Sequence, residues 1–285
     1  MTALAALAPT VRGVPARTVT VADLPSVALD RLRDQAALQT RVDRKYVLSA
    51  DELAVVLGRV QGRMGVLTID GHRSFAYRST YFDTPELDAF HLSGRGRRRR
   101  FKVRTRIYRQ SGETWLEVKT RGPRGTTVKD RCEYDLADAG RLTEAGREFV
   151  AAVLAERRVE DVDVAALVPS LLTAYNRSTL LLGDDEQTSR ATIDDGLSWR
   201  RPGASHSVCV PGSLILETKT GSRAAALDRA LWGHGVRPSR ISKYGAGLAA
   251  LDDDLPDLKW HRVLTQLPTG RRSFPDRPDT EGLSR

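Results

Sequence analysis

The chain has 285 residues with a formal charge of +9 and a sequence pI near 9.9; 40% of its residues are hydrophobic, enough to bury a core without help from disulfides. Its two cysteines, Cys132 and Cys209, lie in no CxxC or Cys/His cluster, which argues against a disulfide framework and a zinc site. No run of about 18 apolar residues is present and no basic region leads the Ala/Leu-rich start, so the expectation is a cytoplasmic protein without a transmembrane segment.

In chain order, residues 1–20 are rich in Ala, Pro, Thr and Val and read as a disordered segment. Val21 to Gln39 carries helical spacing, Arg41 to Leu48 reads as a first strand, and Ser49 with Glu52 forms a capping-box pattern opening a second helix. From Met64 to Tyr134, strands alternate with glycine-containing turns, with one short helix expected over Thr84 to Leu92. Helices are expected over Leu142 to Arg157, Arg223 to Trp232 and Lys243 to Leu251. One domain over 21–255 is predicted, followed by a disordered basic tail over 256–285.

The strands share a pattern. Lys102, Arg104 and Arg106 alternate with Phe101, Val103 and Thr105; Glu117 and Lys119 share a face, as do Glu217 and Lys219, Lys129 and Arg131, Tyr175 and Arg177, and Arg190 and Asp194. Any one such strand is ordinary for an antiparallel sheet. Rows of fixed cations on at least six strands would repel one another on an open surface but make sense around a lumen filled by a polyanion. The fold class read from this is α+β: a closed antiparallel β barrel with a charged lumen and flanking helices.

GxxxxGK[ST], GxGxxG, HExxH and GxSxG are all absent, so phosphate would be held by side chains. Glu117 and Glu217 could each pair with a neighbouring cation or hold Mg²⁺ or Mn²⁺; charge arithmetic alone leaves both open. Nucleic acid is disfavoured, because aromatics are 6% of the chain and are not interleaved with the basic strands. The Arg95–Arg100 run could steer polyanions or simply be solvated.

The ordered series Arg41-Val-Asp-Arg-Lys45-Tyr46, Tyr81-Phe-Asp-Thr84, Arg104-Thr-Arg106-Ile-Tyr108, Glu117-Val-Lys119, Lys129-Asp-Arg131, Tyr175-Asn-Arg177, Glu217-Thr-Lys219 and Ser239-Arg240-Ile-Ser242-Lys243-Tyr244 resembles the catalytic domain of vacuolar transporter chaperone (VTC) proteins. These are polyphosphate polymerases of the triphosphate tunnel metalloenzyme, CYTH-like class. The resemblance implies a roughly eight-stranded tunnel barrel. It implies a phosphotransferase that moves the γ-phosphate of ATP to a growing inorganic polyphosphate chain with Mn²⁺ or Mg²⁺. Phosphate binding would fall to Lys45, Arg104, Arg106, Lys119, Lys129, Arg131, Arg177, Lys219, Arg240, Ser242 and Lys243, catalysis to Arg104, Arg106, Lys119 and Glu217, and metal binding to Glu217 and Glu117.

Departures qualify what carries over. Arg41-Val-Asp-Arg-Lys45 stands where the tunnel hydrolases have ExExK, favouring the polymerase branch, and Arg240 stands where a lysine is expected. The regulatory and membrane-spanning domains of eukaryotic members are absent, so translocation is not implied and a membrane-protein partner stays open. The alternatives are a triphosphate hydrolase of the same fold and a non-catalytic module that binds polyphosphate or another polyanion.

Overall fold

Over Phe101–Tyr108, a period of two places Phe101, Val103 and Thr105 on one side of an extended chain and Lys102, Arg104 and Arg106 on the other, whereas a helix would mix them. The computed structural model describes residues 18–35, 42–60, 62, 64–122, 126–183, 188–221 and 223–273. The expectations for residues 1–17, 36–39, Arg41 and 274–285 lie outside the described residues.

Among the described residues, the first strand is β1 (Ser26–Val27) and the first α-helix is α1 (Leu29–Gln35). The single helix expected from Val21 is broken at Pro25, which lacks an amide proton and disfavours helical backbone in the residue before it. Next come β2 (Val42–Ser49) and α2 (Ala50–Val60), joined by the expected capping box: the Glu52 amide donates to Ser49 Oγ at 3.1 Å and the Ser49 amide to Glu52 Oε2 at 2.7 Å. Then follow β3 (Met64–Leu67), β4 (Phe75–Asp83), α3 (Asp88–Gly94), β5 (Phe101–Tyr108), β6 (Thr114–Arg121), β7 (Thr127–Glu133) and α4 (Glu144–Glu156). The remainder is β8 (Val168–Leu182), β9 (Ser189–Arg200), β10 (His206–Cys209), β11 (Ser213–Thr220), α5 (Ala226–Gly233), α6 (Lys243–Leu251), α7 (His261–Leu264) and β12 (Gly270–Ser273).

Eight strands pair in the antiparallel order β2-β11-β9-β8-β4-β5-β6-β7. The ends of this wall, β2 and β7, share no hydrogen bond among the described residues, so the ladder is open where a fully closed barrel was expected. The sheet nevertheless curls until Asp43 and Lys45 of β2 and Lys129 and Arg131 of β7 line one cavity. At 15 and 12 residues, β8 and β9 outrun their neighbours; their free ends carry β3 (paired with β1) and β10 (paired with β12).

The apolar core lies outside this lumen, between the outer faces of the strands and the helices. One cluster joins Phe101, Val103, Leu116 and Val118 to Phe90 of α3, Val150 of α4 and Leu248 of α6; another joins Tyr46 and Leu216 to Val56 of α2 and Leu231 of α5. Ordered structure also continues past Leu255, where a disordered tail was expected: Trp260, Val263 and Leu267 are buried and β12 adds to β10. Trp260 explains the glycine at 245, since a Cβ there would lie 2.0 Å from its ring, and a Cβ at Gly247 would lie 2.4 Å from Trp199. Those two close approaches seat α6 so that Ser242 and Lys243, at its start, reach the lumen.

Candidate functional site

The lumen is a cavity of about 1350 Å³, and every one of the thirteen site residues expected from the sequence lines it. Sixteen Lys and Arg side chains line it against three carboxylates, Asp43, Glu117 and Glu217. That excess of thirteen is larger than the whole chain's +9, so the rest of the protein is four charges negative. The basic composition therefore belongs to the cavity and not to the outer surface.

Two ionic clusters hold the lumen in shape. In the first, Arg104 of β5 donates through Nε to Glu117 Oε2 of β6 at 2.8 Å and through Nη1 to the Tyr81 hydroxyl at 2.9 Å, while Lys129 of β7 reaches Glu117 Oε1 at 3.1 Å. The register puts these groups side by side, with Arg104 opposite Glu117 and Glu117 opposite Arg131. In the second, Arg177 of β8 grips Asp194 of β9 with Nε at 2.6 Å and Nη2 at 2.8 Å, and Lys243 at the start of α6 also pairs with Asp194. Arg106 donates to the Tyr175 hydroxyl at 2.8 Å, and Arg131 stacks over Trp115 with 4.1 Å to the ring centre.

Glu217 differs from both buried acids. Its neighbours Lys219 and Lys45 stand at 3.8 and 4.0 Å, and no hydrogen bond to it is found among the described residues. Burial raises the proton affinity of all three acids. For Glu117 this is outweighed by Arg104, Arg106 and the lysines Lys119 and Lys129; for Glu217 by Lys45, Lys219, Arg177 and Lys119; and for Asp194 by Lys243 and Arg177. All three are held well below the usual carboxylate range and are ionised. The lysines are lowered too, which for them disfavours the charged form. Arg104 and burial bring Lys119 well below its ordinary value, burial with Lys45 and Lys259 brings Lys102 to about 7, and burial brings Lys219 to about 8. An anion placed beside them would favour their charged form.

No group of three or more His, Cys, Asp or Glu suited to a metal occurs among the described residues. A hard divalent cation that takes one protein carboxylate and completes its shell with water and phosphate oxygens fits Glu217. It does not fit Glu117, which was expected as a second ligand: both of its oxygens are taken by Arg104 and Lys129.

Several participants were not singled out from the sequence. Asp194 lay on a recognised face, but its partners Arg177 and Lys243 are 17 and 49 residues away. Tyr81 and Lys102 are others, the latter donating to Ser242 Oγ at 2.8 Å; Ser242 in turn caps α6 by accepting from the Gly245 amide at 3.2 Å. The alternation around Lys102 was visible, but nothing local shows its contact with a residue 140 positions on.

Comparison with known proteins follows this geometry. The VTC domain family model matches residues 40–252. No match is found among curated proteins. Among solved structures, a Hippeastrum protein described as a candidate adenylyl cyclase with a dominant triphosphatase activity is 14% identical, with a TM-score of 0.44 over 77% of this chain and 99% of that one. A candidate adenylate cyclase from Vibrio parahaemolyticus is 13% identical with a TM-score of 0.40, over 72% of this chain and 95% of its own. A conserved hypothetical protein from Pyrococcus furiosus is 12% identical with a TM-score of 0.36, over 72% and 99%. No helix among the described residues is long and apolar enough to cross a membrane.

Proposed function

The chain belongs to the VTC domain family, and from that premise we propose that it is a metal-dependent polyphosphate polymerase, transferring the γ-phosphate of ATP to a growing polyphosphate chain. The observation that carries this reading is the lumen itself: thirteen more cations than carboxylates, with Glu217 an acid to which no hydrogen bond is found among the described residues. Such a site binds an extended polyanion together with a divalent ion, and a compact neutral ligand would leave most of its charge uncompensated.

In the reaction, an oxygen of the acceptor's terminal phosphate forms a new bond to the γ-phosphorus in line, the bond to the bridging oxygen breaks, and ADP departs with that electron pair. The nucleophile is already an anion, so the protein supplies position and charge instead of a general base. Glu217 would hold the divalent ion, which when bound would supply neutralisation of the phosphates' negative charge.

Arg106 has Nη1 free of hydrogen bonds among the described residues, and together with Lys119 it takes the transferring phosphoryl group. Arg104 has three of its nitrogens committed to Glu117 and Tyr81 and Arg177 two of its nitrogens to Asp194, and both act chiefly through their charge. Lys45, Lys129, Arg131, Lys219, Arg240, Ser242 and Lys243 hold the remaining phosphates. Use of ATP as donor supports a cytoplasmic setting for this activity.

The test is incubation of the purified chain with ATP and Mn²⁺, scoring long polyphosphate and free phosphate, beside Glu217→Gln. Polymer that is lost in the variant supports the reading. Free phosphate alone would assign a hydrolase of the same fold, and full activity in Glu217→Gln would remove Glu217 from the metal role.

A further inference from the structure

The Arg95–Arg100 run does not behave as one solvated loop. Arg99 turns outward to Glu160 at 2.9 Å, with both partners exposed, whereas Arg98 and Arg100 line the cavity. Two more cations join them from distant parts of the chain: Arg121 at the end of β6, and Lys259, which lies beyond the family match and donates to the Ser93 carbonyl.

The register defines where this group sits. Arg98 and Arg100 immediately precede β5, whose Lys102 stands opposite Lys119, which stands opposite Lys129; the carboxylates begin one step deeper, at Glu117. Arg98, Arg100, Arg121 and Lys259 thus form a rim outside that row of lysines. None of the four pairs with a carboxylate among the described residues. Their closeness is felt electrostatically: burial first, then Arg100, Arg240 and Arg121, bring Lys259 to about 8. The mouth at the far end of β4 and β5 is different in kind, built from Tyr77 and Tyr108, which touch with ring centres 4.9 Å apart.

A rim of unpaired like charges is unfavourable for an empty fold and favourable only with an anion across it. It continues the cationic lining outward, and among the described residues no carboxylate pairs with it to stop a chain from passing. We propose that Arg98, Arg100, Arg121 and Lys259, at the mouth of the cavity, form a second polyphosphate subsite that holds further phosphates of a chain whose end lies deeper in the lumen. This rests on the polyphosphate reading above, and its consequence is that affinity depends on chain length. A tripolyphosphate fills only the inner part of the cavity, while a longer chain also gains the rim at its mouth.

The experiment measures binding of tripolyphosphate and of long-chain polyphosphate, without ATP or metal, to the wild type and to Arg98→Gln/Arg121→Gln, two exposed side chains whose loss leaves the packing intact. Long-chain affinity should fall about fivefold, two exposed charge contacts each worth roughly a factor of two to three, and the ratio of long-chain to short-chain affinity should shrink with it. Lys259→Gln, checked by its melting temperature because of the Ser93 contact, should shrink the same ratio. Equal losses for both lengths, no loss, or single-stranded RNA competing as well as polyphosphate would overturn the subsite. Since no turnover is involved, chain-length-dependent binding without polymer synthesis would refute the polymerase reading and leave the subsite standing, and the converse would refute only the subsite.

Discussion

Glu117→Gln separates the two roles a carboxylate could have in this lumen. The side chain is 1% exposed and lies between Arg104, 7% exposed, and Lys129. The amide keeps the shape but removes the charge, leaving a buried guanidinium with the Tyr81 hydroxyl and no counter-ion. Breaking a buried pair on one side costs about 3–5 kcal/mol, and the lower end applies because the lumen admits water. About 3 kcal/mol corresponds to a fall of roughly 6–12 °C in melting temperature for a chain of this size. Differential scanning calorimetry in phosphate-free buffer should show it, and added tripolyphosphate, supplying the missing negative charge, should raise the variant's melting temperature by more than the wild type's. Metal titration completes the contrast: Glu117→Gln should keep Mn²⁺ binding in the presence of tripolyphosphate, and Glu217→Gln should lose it. A variant that melts within about 1 °C of wild type, or that loses Mn²⁺ as Glu217→Gln does, would refute the counter-ion assignment.

Lys102 and Lys219, near 7 and 8 in the fold and higher when unfolded, should make anion-free stability rise with pH between about 7 and 10, because over that window the unfolded chain binds more protons. Binding has the opposite sign: tripolyphosphate should draw protons onto these lysines, so affinity should fall as pH rises from about 7 to 9, with proton uptake visible in calorimetry in buffers of different ionisation heat. Glu117, Asp194 and Glu217, depressed in the fold, add stability above their unfolded value of about 4, which should be lost as pH falls below it; an acid melting series checks this. Gly245→Ala should destabilise by about 1–3 kcal/mol in denaturant melts, despite alanine's better helix propensity, because its Cβ meets Trp260. Asp194→Asn should tighten tripolyphosphate binding, since it frees Arg177 and Lys243, yet lower turnover about tenfold by unfixing them; unchanged turnover would remove its positioning role.

The faces of the strands were legible in the chain. Alternation is a local property with a period of two, so Lys102, Arg104 and Arg106 had to share a side once the segment was extended, and the same held for Glu117 with Lys119 and Glu217 with Lys219. Local signals also placed the Ser49–Glu52 cap and the helix over Lys243–Leu251. The unpaired edges of β2 and β7, the packing of Trp260 beyond the expected end, and the partner of each charge were not legible. Glu117 and Glu217 occupy near-identical pentapeptides, but register sets Glu117 opposite Arg104 within hydrogen-bond reach, while Glu217 meets Lys45 only at 4.0 Å. Which side of a strand a residue takes is decided by its own backbone; which charge it meets there is decided by how neighbouring strands pair and curl, and that depends on packing between segments far apart in the chain.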